Sequence, residues 1–362
     1  MDMADETVNL VLVGSAVLTS ICYCYFISST LPKGTLRLLS LLPVLLLFAA
    51  LPLVLSTVLL TGITTFFITW LATSKLLLFA FDQGPLSPSA YPPYKPFLLF
   101  TILACFPIKI NPPNPKIPKS SPRKRSSPLG LPTKAVLLTA TVLIYDRRDL
   151  LLRLHPDLLY GLYSVMLLLF VDVMVGFFVS SIGIVLGFDL QPPSNEPYLS
   201  TSLQDFWGKR WNLIVTDTLR HTVYNPLRLS LGPIIGPTWA QLTGLLGAFM
   251  VSGLVHELTF YYINRASPTW EVTGFFVLHG LCVAAEAAVK TALPDRFRLR
   301  PAVSVVLTLG FVVGTGTRLF FPPLIRNGAD QKAIGEYKYL VGSLNALMGN
   351  LASLTWWWKF PR

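Results

Sequence analysis

The sequence predicts an all-α, polytopic membrane protein with about nine transmembrane helices, in a range of eight to ten. Hydrophobic residues make up 52% of the 362-residue chain, charged residues make up 13%, and the mean hydropathy is +0.58. A water-soluble domain carries about twice that share of charged residues. The apolar runs that are long enough to cross a bilayer as helices lie at 8–27, 37–56, 58–81, 134–152, 160–187, 239–263, 273–289, 301–321 and 337–358.

The N-terminal part of the chain, 1–81, contains the first three runs. Asp5 and Glu6 precede the first run, without Lys or Arg, which is unlike a cleaved secretory signal and predicts a retained helix. Pro43 and Pro52 interrupt the second run. Its short separation from the third run leaves a broken or re-entrant pair open as an alternative.

The middle part, 82–133, is predicted to be a proline-rich, basic cytosolic linker. Between Phe106 and Pro132 it holds eight prolines and a tract of Lys and Arg, a composition that neither packs a core nor sustains a helix. With nine crossings, this linker and the other basic loops all fall on the cytosolic side of the membrane. The same count predicts that the N-terminus lies in the lumen.

The net charge of +11 invites comparison with nucleic-acid-binding proteins. The basic residues are spread over membrane loops, however, and no zinc, helix-turn-helix or RNA-binding signature accompanies them. We therefore expect partners among membrane lipids and anionic cytosolic substrates, and no nucleic acid. The cysteines are expected to be small packing residues, because Cys22, Cys24, Cys105 and Cys282 form no CxxC pair.

The C-terminal part, 134–362, contains a long polar interval at 189–238 that is predicted to be ordered. Thr201 and Gln204 have the spacing of a capping box, which predicts a helix from there to about Thr222. Its apolar face carries Leu203, Trp207, Trp211, Ile214 and Thr218, and its polar face carries Asp205, Lys209, Asn212, Thr216 and Arg220. The pattern favours a cytosolic amphipathic helix whose aromatic residues face lipid or core, and a plain surface helix stays open.

Two of the four histidines, His256 and His279, fall at membrane depth. An ionisable side chain in hydrocarbon costs roughly 3 kcal/mol on insertion scales, so it usually faces a bundle interior or a polar cavity. His279 shares a helical face with Cys282 and Glu286, and a structural polar network explains that set. His256 is the stronger functional candidate, because imidazole is well suited to moving protons near neutral pH.

The surroundings of His256 favour base catalysis. Ser252, His256 and Thr259 share a helical face, whereas Glu257 is turned away and is expected to point to another helix. No zinc, nucleotide-binding or nucleophile-elbow motif predicts a metal or a bound cofactor. A neutral imidazole in a water-poor pocket can accept the proton of an attacking alcohol. Acyl transfer to a lipid therefore stands beside channel, scaffold and transporter functions, including a proton relay through His256, Glu257 and Glu286.

Several motifs also resemble one known family. SLQDFWGKRWN at 202–212, VSGLVHELTFYY at 251–262 and FFVLHG at 275–280 are similar to the plant wax synthase branch of the membrane-bound O-acyltransferases. Near the N-terminus, YCYFISSTLPKG at 23–34 and KLLLFAFDQGPL at 75–86 resemble the same branch. The resemblance covers nearly the whole chain and departs from the family only in the proline-rich linker.

This resemblance implies an acyltransferase core at 134–362 and an enzyme of the endoplasmic reticulum membrane. The enzyme would esterify a long-chain fatty alcohol with the acyl group of fatty acyl-CoA, forming a wax ester. In that family the intramembrane histidine is the catalytic base, which corresponds to His256. The polar residue of the tryptophan-rich box corresponds to Asn212, which would orient the acyl group or polarise its carbonyl. Relatives that acylate sterols or acetylate diacylglycerol leave the acceptor open.

Residues around these motifs complete the predicted site. Those expected to contact acyl-CoA are Trp207, Lys209, Arg210, Trp211 and Arg220, with the cations near its phosphates. Those expected to support the catalytic pair are Ser252, Glu257 and His279. No cofactor is expected besides acyl-CoA as co-substrate. The acyl-chain length and the oligomeric state are left undetermined by the sequence.

Overall fold

The computed structural model describes residues 3–87, 96–111, 130–145, 147–292, 294 and 299–357. Its first three long helices are α1 (Met3–Phe26), α2 (Thr35–Ala50) and α3 (Val58–Ala80). They are followed by α4 (Phe97–Cys105), α5 (Leu131–Tyr145), α6 (Arg148–Leu154) and α7 (Pro156–Leu186). Shorter helices are α8 (Leu203–Asp205), α9 (Leu213–Leu219) and α10 (Asn225–Ile235). The chain continues with α11 (Pro237–Asn264), α12 (Glu271–Ala292), α13 (Pro301–Arg326) and α14 (Ala329–Trp357).

The prediction of an all-α, multi-pass membrane protein is confirmed. Among the described residues, seven helices are long and apolar enough to span a bilayer, namely α1, α2 with its following turn, α3, α7, α11, α12 and α13. The predicted fourth span at 134–152 is wrong, because the apolar helix α5 ends at Tyr145, where the charged residues Asp146 to Asp149 begin. Residues 337–357 of the predicted ninth span belong to α14, which is not one of the seven, and Trp358 lies outside the described residues.

The second and third apolar runs form two separate helices. Pro43 lies inside α2, and a short 3₁₀ turn at Leu51–Leu53 ends that segment before α3 begins at Val58. Side chains from distant helices satisfy the backbone groups of the connection. Glu6 accepts hydrogen bonds from the N–H groups of Ser56 and Thr57. Glu336 accepts from the N–H groups of Val58 and Leu59. Arg265 donates to the carbonyls of Pro52, Leu53 and Leu55.

The predicted linker contains an apolar helix that the sequence analysis did not predict. In α4, Phe100, Leu103, Ala104 and Cys105 are buried in a core that α1, α2, α3 and α7 also build. Lys75 of α3 donates to the carbonyls of Leu103 and Phe106, which fixes the C-terminal end of α4. Cys24 also lies in this core, and all four cysteines are free. The basic tract at 112–129 lies outside the described residues.

The predicted continuous helix from Thr201 to Thr222 is wrong. Ser202, not Thr201, caps α8 by accepting from the Asp205 N–H, and the helix continues as a π turn at Phe206–Arg210. The chain then breaks at Asn212, whose φ of 40° is left-handed, before α9 begins. Asparagine adopts this conformation more readily than most residues and is also a good N-cap, so it suits the break.

Helices α11 and α12 cross at close range. A Cβ atom on Gly253 would lie 2.9 Å from the Cα of Thr273, and one on Gly280 would lie 3.0 Å from the Cβ of Phe249. These two glycines therefore allow a separation that larger residues would prevent. The crossing brings His256 of α11 against Phe276 of α12, with ring centroids 4.5 Å apart.

A buried ion pair joins α5 to α7. Lys134 Nζ lies 2.8 Å from Asp172 Oδ2, and the two side chains are only 12% and 8% exposed. Asp172 lies near the middle of the membrane-spanning helix α7. An unpaired carboxylate there would be costly, so the pair fixes the position of α5 beside α7.

We predict that Lys134→Met lowers the free energy of unfolding by about 3–5 kcal/mol, because it leaves Asp172 uncompensated. Lys109→Met is the matched control, since the Lys109–Asp217 pair is 44% and 31% exposed. Loss of such an exposed pair costs about 1 kcal/mol or less. The difference is measured by unfolding the two purified variants in detergent, with heat in one series and with denaturant in another. Equal destabilisation of both variants would contradict a dominant role for the buried pair.

Candidate active site

A cavity of about 1190 Å³ lies between the helices and contains the predicted catalytic residues. Its lining along α11 runs from Thr238 to Ile263, which is about 38 Å of helix at 1.5 Å per residue. The hydrocarbon core of a bilayer is about 30 Å thick, so the cavity is lined along a stretch of helix longer than that thickness. Most of the lining is apolar side chain from α3, α7, α11, α12 and α13. The cavity can therefore hold long aliphatic chains.

Four π-helical segments contribute to this cavity. They lie at Thr65–Ala72, Phe206–Arg210, Arg220–Tyr224 and Gly316–Phe320. The residues that they place on the lining include Trp70, Trp207, Arg220 and Phe320. A π turn widens the helix locally and redirects side chains, and such turns are frequent at functional sites.

His256 lies on the cavity wall in a defined orientation. Its Nδ1 lies 2.7 Å from the carbonyl oxygen of Ser252, one helical turn earlier. A carbonyl only accepts, so Nδ1 carries the proton and Nε2 of the neutral ring carries the lone pair. No hydrogen bond to Nε2 is formed within the part of the chain that the structure describes. Ser252, His256 and Thr259 all line the cavity, which confirms the predicted shared face.

Aromatic rings surround His256. The ring centroids of Trp70, Phe276 and Phe320 lie 5.7, 4.5 and 5.7 Å from the imidazole. Phe276 belongs to the FFVLHG motif, but nothing in the sequence connects Trp70 or Phe320 with His256. This apolar surround excludes water from the imidazole and from any acyl group bound beside it.

Asn212 lines the same cavity at the break between the π turn and α9. Its Oδ1 accepts a hydrogen bond of 3.3 Å from the Val215 N–H and thereby caps α9. The amide oxygen is thus engaged, while the amide NH₂ is the part of the side chain that can donate to a ligand. Both Asn212 and His256 therefore face the space in which an acyl group and an alcohol could meet.

His279 has a different environment from the predicted one. It is fully buried, its Nδ1 accepts from Trp207 Nε1 at 3.0 Å, and its Nε2 lies 2.8 Å from Thr315 Oγ1. The expected network with Cys282 and Glu286 is wrong, because Glu286 instead accepts from the N–H groups of Leu203 and Gln204 and pairs with Lys290. His279 thus joins the π turn at Trp207 to α12 and α13, and neither ring nitrogen is left for proton transfer.

Glu257 points to another helix, as predicted. The side chain is 4% exposed, and Oε1 accepts from the Thr273 N–H in the first turn of α12 at 3.2 Å. Ser252 is also buried, and its carbonyl is the acceptor that orients His256. Both residues therefore act on the geometry around His256. The contacts of Glu257, Glu286 and His279 join helices and form no proton relay with His256.

The residues expected to contact acyl-CoA separate into two groups. Trp207, Trp211 and Arg220 line the cavity. Lys209 is exposed and lies outside the lining, and Arg210 binds Asp205 at 2.7 Å and the carbonyls of Asn195 and Glu196. Arg210 therefore stabilises the fold of its own segment. Arg220 is the cation of this set whose position suits a ligand phosphate.

Known proteins are similar to this chain over most of its length. Residues 190–278 match the membrane bound O-acyl transferase family. A protein named "Probable long-chain-alcohol O-fatty-acyltransferase 1", from Arabidopsis thaliana, is 45% identical over 340 residues, which cover 92% of this chain and 96% of the relative. This chain belongs to the membrane-bound O-acyltransferase family. It is a multi-pass acyltransferase, which implies an acyl donor and an alcohol acceptor.

Two further relatives of this acyltransferase differ in the acceptor that their names state. The long-chain-alcohol O-fatty-acyltransferase of Simmondsia chinensis is 41% identical over 358 residues, covering 97% of this chain and 99% of the relative. The acyl-CoA–sterol O-acyltransferase 1 of Arabidopsis thaliana is 40% identical over 322 residues, covering 89% and 92%.

We predict that His279→Ala lowers the free energy of unfolding of the acyltransferase by about 2–4 kcal/mol, because it opens a cavity and leaves the Trp207 N–H unpaired. The yield of folded protein should fall as a result. His221→Ala is the matched control, since His221 is exposed and bonds only within its own helical segment. Thermal unfolding and yield after purification measure the effect. Normal yield with a selective loss of turnover in His279→Ala would overturn the structural role given to this residue.

Proposed function

We propose that this protein is an acyl-CoA-dependent O-acyltransferase of the endoplasmic reticulum membrane, with its N-terminus in the lumen, that forms wax esters from long-chain fatty alcohols. The observation that carries the proposal is that Nε2 of His256, which has no hydrogen-bond partner among the described residues, lies in an apolar cavity large enough for two aliphatic chains. The relatives named as long-chain-alcohol O-fatty-acyltransferases support the choice of acceptor. No cofactor besides the acyl-CoA co-substrate is required.

The mechanism follows from the direction of the His256 ring. Nε2 takes the proton of the alcohol hydroxyl as its oxygen attacks the thioester carbonyl. The new ester C–O bond forms, the C–S bond breaks, and the coenzyme A thiolate receives the proton from the imidazolium. The Nδ1 bond to Ser252 holds the ring in one orientation through both steps. The aromatic surround keeps water from competing with the alcohol for the acyl group.

Asn212 serves the acyl donor in this mechanism. The carbonyl oxygen of the thioester gains negative charge as the alcohol attacks, and an amide N–H donor stabilises that charge. Because Oδ1 of Asn212 caps α9, the orientation of its amide group is fixed before the substrate arrives. A fixed donor is more effective than a mobile one, since little reorganisation accompanies the reaction.

Arg220 is proposed to bind the phosphates of coenzyme A. It is exposed at one end of the cavity, where the π turn Arg220–Tyr224 packs against Gly244 of α11. No hydrogen bond or ion pair of its guanidinium group is formed with another described residue. Trp207 and Trp211 also line the cavity, and their rings provide apolar surface for the thioester arm.

The sterol alternative changes only the acceptor and is favoured by one named relative. The diacylglycerol alternative also changes the donor, because the group transferred is then acetyl. Microsomes from yeast that express the protein would receive labelled hexadecanoyl-CoA with hexadecanol or with a sterol, and labelled acetyl-CoA with diacylglycerol, in turn. We expect labelled wax ester as the main product. Steryl ester as the main product would show that the acceptor is a sterol and not a fatty alcohol. Uptake driven by a pH gradient without any ester would favour a transporter.

We predict that His256→Ala lowers turnover about 100-fold or more while the amount of folded protein stays normal, because the general base is lost. His221→Ala is the matched control and should retain turnover. The measurement is ester formation per mole of purified protein. Turnover of His256→Ala near the wild-type value would remove His256 from the mechanism.

Replacement of Asn212 needs a variant that separates catalysis from folding. Asn212→Asp retains an oxygen that can cap α9 and tolerates the left-handed backbone, but it has no N–H donor. We predict a decrease in turnover of roughly 100-fold for Asn212→Asp, with little change in thermal stability. Asn212→Ala should lose both turnover and the cap. Wild-type turnover in a stable Asn212→Asp protein would contradict the proposed donor.

For Arg220 we predict an increase in the KM for acyl-CoA of about tenfold in Arg220→Ala, with kcat nearly unchanged, because one charged phosphate contact is lost. Lys209→Ala is the comparison, since Lys209 lies in the same segment but outside the cavity lining. Initial rates at varied acyl-CoA concentration distinguish KM from kcat. An equal increase of KM in both variants would indicate general attraction of the anion and no specific site.

A further inference from the structure

Polar side chains gather at the end of the cavity that lies opposite Arg220. Arg220 lies where Tyr224 contacts Gly244, in the first half of α11. The other end is formed where α11 ends, because Arg265 and Lys332 both donate to the α2–α3 connection there. His256 lies between these two ends along α11. The far end includes Asp330 and Tyr163 among its lining residues.

A continuous series of rings leads from His256 to this far end. His256 contacts Phe320, Phe320 contacts Phe321, Phe321 contacts Tyr163, and Tyr163 contacts Tyr145, with centroid separations of 5.7, 5.3, 6.0 and 5.8 Å. Apart from the tyrosine hydroxyls, this path offers only apolar surface. An aliphatic chain that starts at His256 would therefore meet its first carboxyl group at Asp330.

Asp330 is only partly satisfied by the protein. It is 5% exposed, and its Oδ2 accepts a hydrogen bond of 2.7 Å from the Tyr145 hydroxyl, which in turn accepts from Arg148. The second oxygen, Oδ1, is buried and has no hydrogen-bond partner among the described residues. A buried oxygen without a donor is unfavourable. Rotation about the Cβ–Cγ bond is soft in aspartate and can turn the oxygens relative to the cavity.

Tyr163 adds a second polar group beside Asp330. Its ring lies between Phe321 and Tyr145, and the residue lines the cavity. Its hydroxyl makes no hydrogen bond to another described residue, and a hydroxyl can both donate and accept. A carboxylate that accepts and a hydroxyl that does either are together complementary to one alcohol group. Neither of them is complementary to the terminal methyl group of a simple fatty chain.

We propose that Asp330 and Tyr163 form a subsite for a hydroxyl group that a lipid substrate carries far from its reacting end. The substrate class is a long aliphatic chain with a second oxygen function, present either in the acceptor, as a diol with a hydroxyl at each end, or in the acyl-CoA, as a chain with a hydroxyl on its last carbon. This inference rests on the proposed acyl transfer at His256. No chemistry occurs at the subsite, which only binds and orients the chain.

The test is a competition between chains that differ only in the distal hydroxyl. In the first arm, the protein receives hexadecanoyl-CoA with equal amounts of hexadecanol and of the hexadecane diol that has a hydroxyl group at each end. In the second arm, it receives hexadecanol with equal amounts of hexadecanoyl-CoA and its terminally hydroxylated form. Mass spectrometry of the esters gives the product ratio, corrected in the first arm for the two reactive ends of the diol. We expect about a tenfold preference for the hydroxylated chain in one arm, which also identifies its source.

Variants at the subsite separate binding from folding. Asp330→Leu should abolish the preference, whereas turnover of the unhydroxylated pair persists. Asp330→Asn retains the size of the side chain and should reduce the preference less, and Tyr163→Phe should also reduce it. Asp157→Asn is the matched control, because Asp157 pairs with Arg318 at an exposed position outside the lining. The product ratio is internal to each sample, so a lower protein yield does not alter it.

Two results would overturn the subsite. One is a wild-type ratio near unity in both arms at every chain length from twelve to twenty carbons. The other is a preference that stays the same in Asp330→Leu, Asp330→Asn and Tyr163→Phe. Failure of the proposed function would look different, since no ester would then form from hexadecanoyl-CoA and any alcohol, hydroxylated or not.

Discussion

The hydrogen bond between Nδ1 of His256 and the carbonyl of Ser252 is the interaction on which the site depends. A histidine has two nitrogens, and this bond assigns the proton to one of them and leaves the other to accept from a ligand. The bond lies within one helical turn of α11, so its geometry is set locally. The direction in which Nε2 then points is set by the packing of α11 against α3, α12 and α13, which carry Trp70, Phe276 and Phe320.

The buried and half-buried polar groups between the helices have partners of two kinds. Glu257, Glu286 and Glu336 accept from backbone N–H groups at the first turns of other helices, where the helix dipole also favours a negative charge. Lys134 and Asp172 pair with each other. These contacts fix the relative positions of the helices around the cavity. His256 and Asp330 differ from this set because both line the cavity. Each also has an atom without a hydrogen-bond partner among the described residues, as does Asp172 at Oδ1.

The two ends of the cavity differ in charge, and this difference suits two different ligands. Arg220 lies at one end and Asp330 at the other, with His256 between them. An anionic head group such as that of coenzyme A is attracted to the first and repelled by the second. The long apolar wall between them is compatible with the aliphatic part of either substrate. The reaction would thus take place where the two chains meet, beside the imidazole.

The sequence by itself determined the fold class, the membrane location, the family and the identity of His256 and Asn212 as candidates. The fold class, the membrane location and the choice of His256 follow from composition and from position in the apolar runs. The family and Asn212 follow from the resemblance of local motifs to those of a known family. Hydropathy alone overestimated the length of the fourth span. The helix ends at Tyr145, where four consecutive charged residues beginning at Asp146 interrupt an otherwise apolar run. Spacing alone also predicted one helix where the backbone turns at Asn212.

Only the tertiary structure decided which side chains meet. Trp70 and Phe320 lie far from His256 along the chain, and no periodic pattern relates residues on different helices. The partners of His279 come from two other elements, so its helical neighbours Cys282 and Glu286 were a misleading guide. Asp330 looks like an ordinary acidic residue in the first turn of a helix until its burial and its place at the cavity are known. Contacts between helices depend on the close crossing at Gly253 and Gly280, which packing determines and local sequence does not.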